Sequence, residues 1–280
     1  MYSDLLPALV CPACHQPLTL AHDVRDAQGE ILAGQLACAR CSVYYPIHEG
    51  IADFLDTPRP LTPAQVTNEW PLTAWIYERG WRPFALTLLS REPFPYRREL
   101  PLMADLMQTQ RGGLYLDVAC SNGLYARALA RTLGAAPGHV VGIDHSLPML
   151  LQARRFAREA RLRISYVRAE AQGLPIAAER VAGVAIGGSL NEIGDLDACL
   201  EEARRVLQPA GRFVTMTLAR AATRPGQLFQ SLMATGGITF WSASELVAQF
   251  AAHGFHTVEQ RQYGLVMFHL ALPANNALAV

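Results

Sequence analysis

The sequence contains no lysine, because all 24 of its basic residues are arginine. Without a lysine amine, Schiff-base chemistry is excluded. Neither positive nor negative charge is in excess, because 24 acidic residues bring the formal net charge to zero. Binding to nucleic-acid phosphates depends on clustered cations. Nucleic acid is therefore not the partner that the composition favours.

Long apolar runs are also missing. No run approaches the roughly 18 residues that a membrane-spanning helix needs. The first residues, MYSDLLPALVCPAC, lack the basic start and continuous apolar stretch of a signal peptide. We expect a cytoplasmic protein with no membrane span. With 280 residues, 51% of them hydrophobic, the chain has room for one large domain and a small one.

Four of the six cysteines form two C-x2-C pairs near the N-terminus, namely Cys11 with Cys14 and Cys38 with Cys41. This spacing lets two thiolates from one tight turn reach the same ion, and two such turns complete a closed tetrahedral shell. Without a secretion signal, the pattern favours zinc over two disulfides, which remain the alternative. A closed shell leaves no position for water, so we predict a structural zinc ribbon over residues 1–56.

The predicted ribbon is acidic, with two arginines against seven aspartates and glutamates. On charge it is a poor clamp for RNA and a better lid or protein-contact module. Residues 57–110 are predicted to form a linker and a helical connector or lid. Its aromatic residues either shape an acceptor pocket or only pack the connector onto the core. They are Trp70, Trp75, Tyr77, Trp81 and Phe84.

From residue 111 to residue 272, apolar runs of strand length alternate with helical patterns, which indicates parallel strands joined by crossover helices. We predict an α/β fold, a Rossmann-like doubly wound sheet of seven strands with the last pair antiparallel. Residues 273–280 are expected to be a frayed tail. The expected strands are 114–118, 139–143, 164–168, 181–186, 212–218, 256–260 and 265–270. The expected helices are 122–133, 146–161, 196–207 and 243–253.

The turn after the first of these strands presents backbone N–H groups and a helix N-terminus to a ligand. Asp117 ends the strand, and it either contacts the ligand or caps the helix that follows. Cys120 is expected to line the pocket and not to act as a nucleophile. Asp144, at the end of the second strand, is placed to accept hydrogen bonds from ribose hydroxyls. The expected cofactor-binding residues are Asp117, Ala119, Cys120, Ser121, Gly123, Asp144, His145, Ala169, Glu170, Ala171 and Gly187.

The segments LDVACSNGLYARAL, VVGIDHSLPML, VRAEAQGLPI and ARRVLQPAGRFV resemble successive motifs of class I S-adenosylmethionine-dependent methyltransferases. The family usually has glycine where Ala119 and Ser121 stand, and these residues fit if their backbones avoid positive φ. As a whole, the chain resembles an uncharacterised group of bacterial and plant-chloroplast methyltransferases. The ribbon alone resembles the small zinc-ribbon partner of certain tRNA and protein methyltransferases, and a ribbon also precedes the core in bacterial rRNA guanine methyltransferases.

The resemblance implies S-adenosylmethionine as cofactor and methyl transfer to O, N or C of a small apolar or aromatic acceptor, such as a quinone. Catalytic candidates are Asn191 and Glu192, which follow the fourth strand, and Tyr77 in the lid. One alternative is an rRNA or tRNA methyltransferase that docks RNA through its ribbon. Another is a non-catalytic scaffold. The arginine-rich helix after Asp144 either binds phosphate or is a solvated outer face.

Overall fold

The structure is a computed structural model that describes residues 1–55 and 82–274. Several predicted features lie outside these residues. They are the proline-rich linker, the aromatic residues Trp70, Trp75, Tyr77 and Trp81, and residues 275–280 of the predicted tail.

The described strands form one sheet in which the order is β1-β2-β3-β4-β7-β6-β5-β8-β9-β11-β10. Strands β4 to β9 pair in parallel along β4-β7-β6-β5-β8-β9, and β11 pairs antiparallel with both β9 and β10. The predicted seven-stranded doubly wound sheet with an antiparallel end is confirmed. The strands are β1 Thr19–Arg25, β2 Ile31–Cys38, β3 Val43–His48, β4 Ile51–Asp53, β5 Gly113–Val118, β6 Gly138–Asp144, β7 Ile164–Arg168, β8 Val181–Gly187, β9 Leu207–Leu218, β10 Phe255–Tyr263 and β11 Val266–Pro273.

Seven α-helices are present in the described part of the chain. They are α1 Arg82–Ser90, α2 Tyr96–Met107, α3 Leu124–Leu133, α4 Leu147–Glu159, α5 Leu196–Val206, α6 Arg224–Ala234 and α7 Ala243–Ala252. Ser146 caps α4 as predicted, because its hydroxyl accepts the N–H of Met149. Helix α6 was not predicted, and the reason is that its apolar residues do not face the core. None of the described helices combines the length and the apolar character that crossing a bilayer requires.

The ribbon continues the sheet of the core instead of forming a body of its own. Strand β4 pairs in parallel with β7, so that Asp53 lies opposite Arg168. Ribbon side chains such as Leu36 and Ile47 share one hydrophobic core with Ile176 of the larger domain. Unfolding the ribbon therefore exposes apolar surface on both sides of the junction.

Ion pairs also join the ribbon to the core. Glu30 is buried and accepts hydrogen bonds from Arg154 at 2.7 Å and Arg158 at 2.9 Å, while Asp26 pairs with Arg158 at 3.1 Å. These two arginines therefore hold the acidic ribbon, a role that was not predicted. Arg158 is nevertheless 46% exposed, and the exposed Arg155 pairs with Glu159, so the interpretation as a solvated face holds for this part of the helix. Two further pairs of this kind are Asp4 with Arg163 and Asp53 with Arg168.

Candidate cofactor site and metal centre

The four N-terminal cysteines converge at one point. Their sulfur atoms all lie within 4.8 Å of one another, with 3.5 Å between Cys14 and Cys38 and 3.9 Å between Cys11 and Cys41. Zn–S bonds of about 2.3 Å in a tetrahedron place sulfurs about 3.8 Å apart, so this donor set fits zinc. Disulfides need sulfurs about 2 Å apart, and all four thiols are free, which contradicts the disulfide alternative.

The metal centre is tied to the core through its flanking backbone. The hydroxyl of Tyr45 lies 3.2 Å from the sulfur of Cys11, where it can donate to a thiolate ligand. The N–H of Val10 donates to the carbonyl of Pro175 at 3.0 Å. Because Pro175 closely follows residues 169–171, which are predicted to bind the cofactor, this bond connects the metal centre to the predicted cofactor site.

The loop between β5 and α3 has an alternating left-handed backbone. Ala119 has φ of 53°, Ser121 of 49° and Gly123 of 74°. The condition under which Ala119 and Ser121 would fit without strain, a backbone without positive φ, is therefore not met. A Cβ makes this conformation unfavourable by roughly 1–2 kcal/mol per residue. The loop keeps a glycine-type shape although two of the family's glycines are replaced.

Asp144 holds this strained loop in place. One oxygen of its buried carboxylate accepts the N–H of Ser121 at 2.8 Å, and the other accepts the N–H of Ser146 at 2.9 Å. The hydroxyl of Ser189 adds a bond to the carbonyl of Ala119 at 3.1 Å. A carboxylate offers about four lone-pair directions, so Asp144 retains capacity for ribose hydroxyls.

Asp117 lies under the loop and is only 1% exposed. Its carboxylate accepts the N–H of Ala126 at 2.7 Å, so the predicted capping alternative is what the structure shows. Burial raises the pKa of Asp117 to about 7; the bond from Ala126 opposes this rise, and the charge of Asp144 adds to it. Direct contact between Asp117 and a cofactor stays a prediction.

The two cysteines outside the ribbon are both buried. Burial, with the nearby charges of Asp117 and Asp144, raises the pKa of Cys120 well above its usual range. A thiol without thiolate character at neutral pH is no nucleophile. Cys120 is therefore a wall of the loop, and Cys199 belongs to the core.

The ends of β6 and β7 bring the other predicted cofactor residues together. The N–H of Ala169 donates to the carbonyl of Asp144 at 3.1 Å, and Arg168 donates to the carbonyl of His145 at 2.9 Å. Arg168 also pairs with Asp53, so the ribbon reaches this edge. The Nε2 atom of His145 is buried and makes no hydrogen bond within the described residues. Glu170 and Ala171 follow directly, half-buried at the same edge.

At the end of β8, Gly187 is packed against a buried polar network. A Cβ on Gly187 would lie 1.8 Å from the ring of Tyr125. Arg82 donates to both carboxylate oxygens of Glu99, at 2.8 and 2.6 Å, and to the hydroxyl of Tyr125 at 3.0 Å. Tyr125 in turn donates to Glu99. Glu99 and Tyr125 were not predicted, because nothing in the local sequence marks them as partners.

The two described catalytic candidates differ. Glu192 is half-buried, and burial together with the charge of Asp144 raises its pKa, which His145 partly offsets. Asn191 is buried, and its amide donates to the carbonyls of Leu218 and Thr239.

Asn191 also accepts the N–H of Leu218, so both amide donors and one of the two oxygen lone pairs bond to backbone. Asn191 therefore braces the backbone at this point, and the catalytic role expected of it stays a prediction. Tyr77 lies outside the described residues, and Glu192 stays a prediction.

Comparisons with known proteins agree with this architecture. Residues 116–211 match the model of a methyltransferase domain, and residues 3–50 match that of Trm112p-like proteins. The chain is thus a class I methyltransferase fold with a Trm112-like zinc-ribbon region at its N-terminus. The resemblance to class I methyltransferases predicted from the motifs is confirmed, and the fold is one that binds S-adenosylmethionine.

One relative matches most of the chain, and a second matches a little under half of it. An uncharacterised chloroplastic methyltransferase of Arabidopsis thaliana is 30% identical over 224 residues, which cover 75% of this chain and 61% of the relative. A 2-phytyl-1,4-naphtoquinone methyltransferase of Thermosynechococcus vestitus is 30% identical over 129 residues, 46% of this chain and 56% of the relative. The chain thus spans about three-fifths of the plant protein's length.

A solved structure shares the fold. It is a complex between the Trm112 methyltransferase activator of Haloferax volcanii and a methyltransferase. The match has a TM-score of 0.59 and 16% identity, and it covers 78% of this chain and 100% of that one.

Proposed function

We propose that this protein transfers a methyl group from S-adenosylmethionine to a small lipophilic ring compound, of which a quinol is the leading example. The observation that carries the proposal is the loop of residues 119–123, kept in a glycine-type conformation beside the Asp144 carboxylate. Similarity to the 2-phytyl-1,4-naphtoquinone methyltransferase of Thermosynechococcus vestitus supports the acceptor class.

The residues at the carboxyl edge of the sheet fit the cofactor. Asp144 would hold the ribose hydroxyls, and the backbone of the 119–123 loop would lie against the amino-acid end. The half-buried segment of Glu170 and Ala171 would face the adenine. Close by lies the Nε2 of His145, which forms no hydrogen bond with any of residues 1–55 and 82–274. When bound, S-adenosylmethionine supplies a methyl group on a sulfonium, which an acceptor in line with that bond receives.

On the acceptor side, Glu192 is the proposed base. A phenol-type acceptor loses a proton as it gains a methyl group, and a carboxylate with a raised pKa is better matched to take that proton. Tyr125 is held by Arg82 and Glu99, and burial raises its pKa well above the usual range. The hydroxyl of Tyr125 therefore serves as fixed wall rather than as base.

RNA as acceptor and the non-catalytic scaffold receive less support. The Trm112p-like match of residues 3–50 favours a macromolecular acceptor. Against it, the acidic side chains of this ribbon pair with arginines of the same chain, and phosphate binding needs free cations. The scaffold alternative rested on Ala119 and Ser121, whose backbones nevertheless take the left-handed conformation.

The test is a transfer assay with zinc-loaded protein, S-adenosylmethionine labelled in its methyl group, and a reduced naphthoquinone with an isoprenoid tail. Glu192→Gln should lower kcat at least about 100-fold and leave the Kd for S-adenosylmethionine unchanged. The matched control is Glu201→Gln, at an exposed glutamate on α5. Transfer to structured RNA but to no quinol would overturn the proposed acceptor.

A further inference from the structure

Helix α6 (Arg224–Ala234) is amphipathic with its apolar side turned outward. Leu228, Phe229 and Leu232 are 75%, 63% and 69% exposed. At 100° per residue, these three side chains fall within an arc of about 100°. The helix is anchored instead by Gln230, which is 8% exposed and bonds to the backbone N–H of Ala221 and the carbonyl of Ala219. An ordinary surface helix has the opposite arrangement.

Exposed apolar side chains are concentrated on few elements. Among the described residues, seven large hydrophobic side chains are more than half exposed, and five of them lie on α1 or α6. Both helices adjoin the end of β9, since Leu265 bonds to the carbonyl of Leu89 in α1 and to the N–H of Ala219. Concentrated exposed apolar surface indicates an interaction site.

This surface lies close to the proposed acceptor side. Ala219, to which Gln230 anchors α6, follows Leu218 at the end of β9. The backbone of Leu218 is held by Asn191, the neighbour of Glu192. Only a short series of contacts therefore separates α6 from the candidate base.

The charge of this segment indicates the kind of partner. From Arg220 to Trp241 the sequence contains two arginines and no acidic residue, although the whole chain is neutral. Arg220 pairs with Glu245 at 2.9 Å, so the basic flank of the helix is Arg224. Arg224 lies at the exposed start of α6. An outward apolar face with a basic flank is typical of helices that lie in the interface of an anionic membrane.

The size of the α6 face argues against a second copy of the chain. Each of its three large side chains offers no more than about 200 Å². Their sum falls below the roughly 800 Å² per partner of a stable protein interface. A membrane needs no matching surface, and a few apolar side chains with basic neighbours suffice for reversible binding.

We propose that α6 docks this protein reversibly on the surface of an anionic lipid membrane, with Leu228, Phe229 and Leu232 inserted among the headgroups. The docking follows from the helix itself. Its use, the delivery of a lipophilic acceptor from the membrane to the site beside Glu192, rests on the proposed function.

The test is flotation of the zinc-loaded full chain with vesicles of phosphatidylglycerol and phosphatidylcholine in equal parts, compared with phosphatidylcholine alone. The protein should float with the anionic vesicles. The triple variant Leu228→Ser, Phe229→Ser, Leu232→Ser should bind at least about tenfold more weakly. The matched control, Val24→Ser with Val258→Ser, removes exposed apolar side chains from other parts of the surface and should bind like the parent protein.

Circular dichroism and the Kd for S-adenosylmethionine establish that the triple variant remains folded. The proposal is overturned if the parent protein does not float, or if the triple variant floats equally well. It is also overturned if light scattering shows a dimer that only the triple variant abolishes, because the face is then a contact between copies. The assay contains neither cofactor nor acceptor, so its result is independent of whether quinols are methylated.

Discussion

The ribbon and the cofactor loop lie on the same sheet but are held in place differently. The ribbon has several overlapping supports, namely four metal ligands, the pairing of β4 with β7, a shared core and buried ion pairs. The loop of residues 119–123 has a strained backbone and is held by two side chains, the Asp144 carboxylate and the Ser189 hydroxyl. The difference suggests that the ribbon side supplies stability, whereas the loop retains conformational energy for cofactor binding.

Removing the metal should have the largest effect. Structural zinc contributes about 10–16 kcal/mol to folding of small metal domains, as much as the whole stability of a typical domain. Cys38→Ser should therefore unfold the ribbon and lower the melting temperature of the core that shares its sheet, as measured by calorimetry. Cys199→Ala, which leaves the metal ligands intact, is the control. A Cys38→Ser protein that melts like the parent would show that the ribbon does not support the core.

Neutralising Asp117 should change how stability depends on pH. The folded pKa is about 7 and the unfolded value is about 3.9. Between these values the folded state keeps a proton that the unfolded chain has lost. The contribution of Asp117 to the free energy of unfolding therefore falls as pH rises from about 4 to about 7, by up to about 4 kcal/mol.

Asp117→Asn should remove this fall, so the variant should gain stability relative to the parent as pH rises. Urea unfolding at several pH values measures the difference. Asp105→Asn, at an exposed aspartate of α2, should show no such trend. A difference between Asp117→Asn and the parent that does not vary with pH would mean that the carboxyl group is ionised throughout.

Breaking the ion pairs between ribbon and core should have an intermediate effect. Glu30→Gln leaves the guanidinium of Arg154, which is mostly buried, without its carboxylate partner. We expect a loss of about 3 kcal/mol, the range for removing one member of a buried pair. Glu159→Gln breaks the exposed pair with Arg155 on the same helix and should cost no more than about 0.5 kcal/mol. Equal losses in denaturant unfolding would mean that Glu30 does not hold the ribbon.

Relieving the strain of the loop should have the smallest effect, and in the opposite direction. Ala119→Gly and Ser121→Gly each remove a Cβ at positive φ, which stabilises the folded loop. Glycine also raises the conformational entropy of the unfolded chain, so we expect a net stabilisation of about 0.5–1 kcal/mol for each variant. Ala128→Gly in α3 should destabilise by about 1 kcal/mol. If all three changes destabilise in thermal unfolding, the loop is not strained.

Much of the fold could be predicted because its determinants are local. The C-x2-C pairs fix the metal ligands, and dense apolar runs between turns fix the central strands; Ile164–Arg168 is observed as predicted. Helix α3, which follows β5, begins at Leu124, two residues later than predicted, because Gly123 takes the left-handed conformation.

Other features could not be predicted because they depend on partners far away in the sequence. Glu30 meets Arg154 only after folding, and nothing near Glu99 indicates that it will bind Arg82. Helix α6 was missed because its core-facing residue is Gln230, which contradicts the usual periodicity. The positive φ of Ser121 likewise depends on the hydrogen bond from its N–H to Asp144. A whole helix and most of a strand lie between these two residues in the sequence.

The central claim is that the Asp144 carboxylate and the loop it holds bind S-adenosylmethionine. Calorimetric titration of zinc-loaded protein with S-adenosylmethionine tests it most directly, with Asp144→Ala and the exposed Asp105→Ala in parallel. We predict micromolar binding that Asp105→Ala retains and that a folded Asp144→Ala protein loses. Absence of binding to the parent protein, or equal binding to Asp144→Ala, would contradict the claim.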